Sequence, residues 1–318
     1  MAVWIGVCSW ADEGLLTRWY PRGVSSPRAR LAYYAERFDT VEVDSPFYRL
    51  PSPETAGRWA DRTPPGFVFH AKASKAMTGH EPTGDREQAF RAFREALGPL
   101  EASGKLRGVL LQYPPGFVKS REALDELAAA RGRLDPLVPL VEFRHRSWMT
   151  AEQRADTLGF LERHGLAYVS VDSPGAGRAG FVPRPWPAAQ TESQAKPATP
   201  DDGTASGAFA AANVLPRLAA RTHEVAYVRF HGRNARTWNA RTRTSGERFD
   251  WLYEQDELAE WVGHLARLEA EGEVYAMFNN NRHDYAPRSA MRLRALLDEA
   301  DVPATGGVEP EPVAPRLF

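Results

Sequence analysis

The sequence has a single cysteine, little lysine, no long apolar run and almost no net charge. With Cys8 alone, an internal disulfide is excluded, and a reducing compartment fits. Formal net charge is −1, from 40 basic and 41 acidic residues, so no overall field draws the chain to nucleic acid or an anionic membrane. Lysine is confined to Lys72, Lys75, Lys105, Lys119 and Lys196, and arginine supplies the remaining basic residues. The Ala and Arg codons of a GC-rich genome explain that bias as well as anion recognition does. No apolar run approaches membrane-spanning length, and MAVWIGVCSW lacks the basic and apolar regions of a signal peptide; the expectation is a cytoplasmic protein that meets no membrane.

What is present is a regular alternation. Short apolar runs at 3–8, 40–44, 67–73, 106–112, 139–143, 167–172, 224–231 and 273–279 read as strands, separated by amphipathic, helix-like stretches. Eight strand–helix units at this length predict a single (β/α)8 TIM-like barrel of the α/β class. The span 173–222, rich in Pro, Gly, Ala and Ser, breaks the rhythm and reads as a long insertion between the sixth and seventh strands, with a short helix over 206–221. Residues 1–302, insertion included, form the expected domain, and 303–318 a flexible C-terminal tail.

In such a barrel, chemistry collects where the strands end, at the C-terminal mouth. Seven strands here end in polar or ionisable residues: Glu42 and Asp44, His70 and Lys72, Gln112, Glu142 and Arg144, Asp172, Arg229 and His231, and the run Asn279, Asn280, Asn281. Burying carboxylates and guanidinium groups is costly without partners, so their convergence points to a ligand site. Glu42, Lys72, Glu142 and His231 are the expected acid–base groups. Gln112, Arg144, Trp148, Asp172, Arg229, Asn279, Asn280 and Tyr48 are the expected binding groups. Glu142 and Arg144, as i and i+2 on one strand, are expected to rise in parallel and find separate partners.

This pattern favours a hydrolase- or isomerase-type enzyme acting on a small polar, anionic or sugar- or phosphate-containing ligand. The alternative is a non-catalytic phosphate, nucleotide or nucleic-acid binder that uses Arg and Trp at the same mouth, the stretch HGRNARTWNARTR included. A divalent metal held by His70, Glu142, Asp172 and His231 is a further option, which the like charges of Lys72, Arg144 and Arg229 disfavour. The cofactor is otherwise open. Cys8 as a nucleophile is a weak third idea, since no base beside it can be assigned.

The segments at 33–73, LLQYPPGF (110–117), VEFRHRSW (141–148), VSVDSP (169–174), YVRFHGR (227–233) and FNNNRHDYAPRSAMRL (278–293) together resemble the YecE-like family, domain of unknown function 72. The resemblance extends over almost the whole chain and implies a TIM-like barrel with polar residues at its mouth. It supplies no reaction.

Overall fold

The computed structural model describes residues 1–81, 85–175, 178–182, 215–238, 240 and 245–308. Its strands in chain order are β1 (Val3–Val7), β2 (Thr40–Val43), β3 (Val68–Lys72), β4 (Leu106–Gln112), β5 (Val138–Glu142), β6 (Ala167–Asp172), β7 (Gly180–Phe181), β8 (Leu218–Ala219), β9 (Val225–Phe230), β10 (Glu273–Phe278) and β11 (Ala304–Thr305). Pairing runs β10-β9-β6-β5-β4-β3-β2-β1, and β1 pairs back onto β10, so eight strands close a barrel. Every neighbouring pair is parallel. Each of the eight expected strands lies within a residue of its predicted bounds, because short, continuous, Val-rich runs suit strands buried on both faces.

Helices between the strands begin on side chains that accept hydrogen bonds from the first turn: Ser26 before Pro27–Ala35, Ser52 before Pro53–Asp61, Asp85 before Arg86–Ala102 and Ser120 before Arg121–Leu134. Their apolar faces cover the barrel's outside in one continuous core. A smaller apolar cluster, with Leu110, Leu140, Val169, Val171, Tyr227, Tyr275 and Met277, fills the barrel's inside. That inner cluster fixes which alternate residues of each strand look inward.

Two regions differ from expectation. In the span after β6, β7 and β8 form a two-stranded parallel ribbon, so strand stands at 218–219 where a helix was expected; residues 183–214 lie outside the described residues. The tail expected from 303 starts as docked chain. Val3 N donates to Pro303 O, β11 pairs with β1, and Gly307 N donates to Arg37 O; residues 309–318 lie outside the described residues. Among the described residues, no helix is long and apolar enough to cross a membrane.

Candidate functional site

Side chains two apart on a strand share a face. With Leu140 inward, Glu142 follows it; with Tyr227 inward, so are Arg229 and His231; Met277 brings Asn279, and Leu110 brings Gln112. His70 packs its ring against Tyr227 and Tyr275 inside the barrel, which turns Lys72 inward as well.

The centre is Arg229, fully buried on β9. Its Nη2 donates to Glu42 Oε1 at 2.5 Å and its Nη1 to Glu142 Oε2 at 2.7 Å, so one guanidinium separates two buried carboxylates. Tyr227 Oη donates to the other oxygen of Glu42 at 2.8 Å. Arg144 Nη2 lies 2.6 Å from Glu142 Oε1, and its guanidinium carbon sits 5.1 Å from the Trp238 ring centroid. Gln112 Oε1 accepts from Arg144 at 3.2 Å and from Arg229 at 3.4 Å. His231 places Nε2 3.3 Å from Glu142 and Nδ1 2.9 Å from the Asn279 amide, with Phe249 stacked on its ring. Lys72 stands apart: its ammonium lies 4.3 Å from the Phe47 ring centroid and makes no hydrogen bond or ion pair with any described residue.

Glu42, Lys72, Gln112, Glu142, Arg144, Arg229, His231 and Asn279 therefore share one mouth. Other expected members do not. Asp172 lies on the opposite face of β6 from Val169 and Val171, where it accepts from Trp261 Nε1 (2.7 Å), Tyr253 Oη (2.8 Å) and Arg233 Nη2 (2.7 Å). It braces the helix Gln255–Ala270 against the barrel. Trp148 is fully buried, stacked on Phe143, with its indole N–H donated to Phe117 O. The Asn280 amide donates to Trp251 O and Ser289 Oγ, outside the barrel. Tyr48 is exposed on the rim, its ring 5.5 Å from the Lys75 ammonium. Glu142 and Arg144 find the expected separate partners, Arg229 and Gln112 respectively, but they also meet each other directly, because β5 ends at Glu142 and Arg144 lies beyond the pleat. The four-residue metal set is not assembled: His70 lies deep between tyrosines and Asp172 on the outer face. No group of three His, Cys, Asp or Glu with metal-holding geometry occurs among the described residues.

Residues 4–314 match the family described as "Protein of unknown function DUF72". The chain belongs to the DUF72 family. It is 29% identical over 304 residues to the UPF0759 protein YunF of Bacillus subtilis, which covers 93% of this chain and 95% of that one. It is 27% identical over 176 residues to the UPF0759 protein YecE of Escherichia coli K12, covering 54% and 59%. The crystal structure of a DUF72 protein from Thermotoga maritima superposes with a TM-score of 0.72 at 26% identity, covering 94% of this chain and all of that one. One from Enterococcus faecalis has a TM-score of 0.73 at 22% identity, covering 93% and 95%, which concerns the fold alone.

Electrostatics divide the mouth of this DUF72 barrel into two carboxylates of opposite character. Burial, then the Asp44 charge, push Glu42 up to about 7 against the pull of Arg229. Burial also acts on Glu142, but Arg144, Arg229 and His231 together outweigh it and hold that carboxyl well below its ordinary range. Burial, reinforced by Arg144, lowers His231 to about 3, so its ring is neutral at pH 7. Burial lowers Lys72 as well, with Asp44 acting against it. Cys8 follows β1 beside Glu42, and burial plus that carboxyl push its thiol well above the usual value, which opposes a thiolate nucleophile.

Two contributors were missed in the sequence. Tyr227 shares the inward face of Arg229 and was legible by parity alone. Asp12 sits in the loop after β1, where no periodicity applies; burial and Asp44 push it up to about 7, and it lines a cavity of about 630 Å³ with Glu13, Gly14, Asn281 and His283.

Proposed function

We propose that this DUF72 barrel is an acid–base enzyme acting at its mouth on a small polar ligand, anionic or bearing sugar or phosphate groups. The observation that carries the reading is the Glu42–Arg229–Glu142 triplet. Two fully buried carboxyls share one guanidinium yet their proton affinities are shifted in opposite directions. A carboxyl near 7 gives and takes protons at neutral pH, whereas its ionised partner fixes the surrounding cations. Glu42 is thus the proton carrier. Glu142 orients Arg144, Arg229 and His231, and Gln112 and Lys72 face the ligand.

A pure binder gains nothing from holding a carboxyl near neutrality. The Arg and Trp groups invoked for phosphate or nucleic acid are also largely engaged: Arg144 and Arg229 by Glu142, and Arg233 by Asp172 and Glu260. Arg241 and Arg243 of the same stretch lie outside the described residues.

The test is a panel of sugar phosphates and sugar acids incubated with the protein in D2O, with substrate loss or deuterium uptake followed by proton NMR. Glu42→Gln is expected to slow turnover of any substrate found by at least about 10²-fold, the usual contribution of a general acid or base. Turnover unchanged in that variant contradicts the reading.

A further inference from the structure

We infer that Lys72 is a nucleophilic amine that condenses with the carbonyl of an aldehyde or ketone, so that the ligand of this mouth is a carbonyl compound. The inference rests on the acid–base reading and narrows its substrate class.

The other inward cations of the mouth each meet a carboxylate: Arg144 meets Glu142, and Arg229 meets both Glu42 and Glu142. Lys105 and Lys119, elsewhere, are satisfied by donating to Ala60 O, Thr63 O and Gln153 Oε1. Lys72 alone of these is 9% exposed, turned into the barrel, and without a hydrogen bond or ion pair to a described residue. The Phe47 ring, carried on the turn Ser45–Phe47, lies against the ammonium and favours its charged form, whereas withdrawal of the side chain from water favours the free amine. The charged groups facing the amine are Asp44, Glu42 and Glu142, which favour its protonation, and Arg229, which opposes it; burial dominates and drives it toward the free base. A desolvated lysine beside a second cation is the setting in which an amine becomes a nucleophile.

The chemistry balances without an added oxidant or reductant. The Nζ lone pair adds to the carbonyl carbon, the C–O π bond opens, and the oxygen takes a proton to give a carbinolamine. That proton comes from nitrogen; the nitrogen lone pair then expels the hydroxyl, which takes the Glu42 proton and leaves as water, so that a protonated C=N bond replaces C=O and Glu42 is left as the carboxylate. Protonated, that imine draws electrons from the neighbouring carbon more strongly than the carbonyl did.

Limited reductive methylation with 13C-formaldehyde and sodium cyanoborohydride at pH 7, mapped by mass spectrometry, tests the amine with the smallest carbonyl. The chain has only Lys75, Lys105, Lys119 and Lys196 for comparison. Lys72 is expected to react about tenfold faster than its neighbour Lys75, since it is held toward the free amine in a mouth that also supplies a general acid. Reaction no faster than at its neighbour Lys75 overturns the inference, and this readout uses the unmodified chain. Glu42→Gln is the second arm. Slower labelling at Lys72 alone supports both steps. Rapid labelling that the variant leaves unchanged keeps the amine and removes Glu42 as its acid. Slow labelling at Lys72, with turnover still lost in Glu42→Gln, removes the amine and keeps the acid–base reading.

Discussion

Arg229 carries one positive charge between two carboxyl groups, and that arrangement decides what a substitution at each of its neighbours does. Glu142 is fully buried and holds Arg144, Arg229 and His231, so its charge holds the mouth together. Glu142→Gln leaves buried guanidinium groups short of an anion and is expected to lose about 3–5 kcal/mol of stability in urea unfolding. Arg144 folds back onto Glu142, so the two charges are each other's partners as well as those of Arg229 and His231. Lys72→Met replaces an amine that has no hydrogen bond or ion pair to a described residue by an apolar side chain of similar size, and should melt within about 1 kcal/mol of wild type while losing turnover. A loss as large as that of Glu142→Gln would show that Lys72 has a structural partner. Asp172→Ala strands the Trp261 and Tyr253 donors on the barrel's outside and leaves Arg233 to Glu257 and Glu260; a loss of about 3 kcal/mol is expected, with Lys72 labelling unchanged.

At the scale of the element, strand existence was legible and strand facing was only partly so. The eight runs announce themselves because parallel strands buried on both faces stay apolar throughout. The same property hides orientation. In AYVSVD, the set Ala167, Val169, Val171 and the set Tyr168, Ser170, Asp172 both fit an interior, and polarity suggested the wrong one. The helix Gln255–Ala270 and the segment before it supply Trp261 and Tyr253 as donors to the outer face of β6, a fact carried by residues some 80 positions away. Trp148 failed likewise, since nothing local says that Phe117 and Phe143 will enclose it. Beyond β9, Gly232 turns the chain away from His231 with φ +92, and a Cβ there would lie 2.5 Å from Trp251 Cβ. Gly232→Ala should therefore lose about 1–3 kcal/mol through backbone strain and shift the His231 ring resonances in NMR. Unchanged melting and spectra would mean that the turn relaxes freely.

For the whole molecule, proton binding by the mouth is coupled to folding. Glu42 and Asp12, at about 7 in the fold against ordinary values of 4.5 and 3.8, keep protons that the unfolded chain has released. Their stabilisation is full below those ordinary values and is lost as pH rises through 7. His70 and His231, at about 3 against 6.5, act oppositely: their contribution is present above 6.5 and is lost as pH falls. The two pairs offset each other between about pH 4.5 and 6.5, so the melting temperature should fall from about pH 6.5 to 8, and less steeply in Glu42→Gln. Differential scanning calorimetry across that range checks it. Acid–base chemistry at this mouth requires one carboxyl poised at neutral pH beside another kept ionised. The direct measurement is a 13C NMR titration of protein labelled at the glutamate side-chain carboxyl carbon, with the two resonances assigned by Glu42→Gln and Glu142→Gln. A Glu42 midpoint near 7, with Glu142 titrating well below the ordinary 4.5, is the predicted result; a Glu42 midpoint at or below the ordinary 4.5 contradicts it.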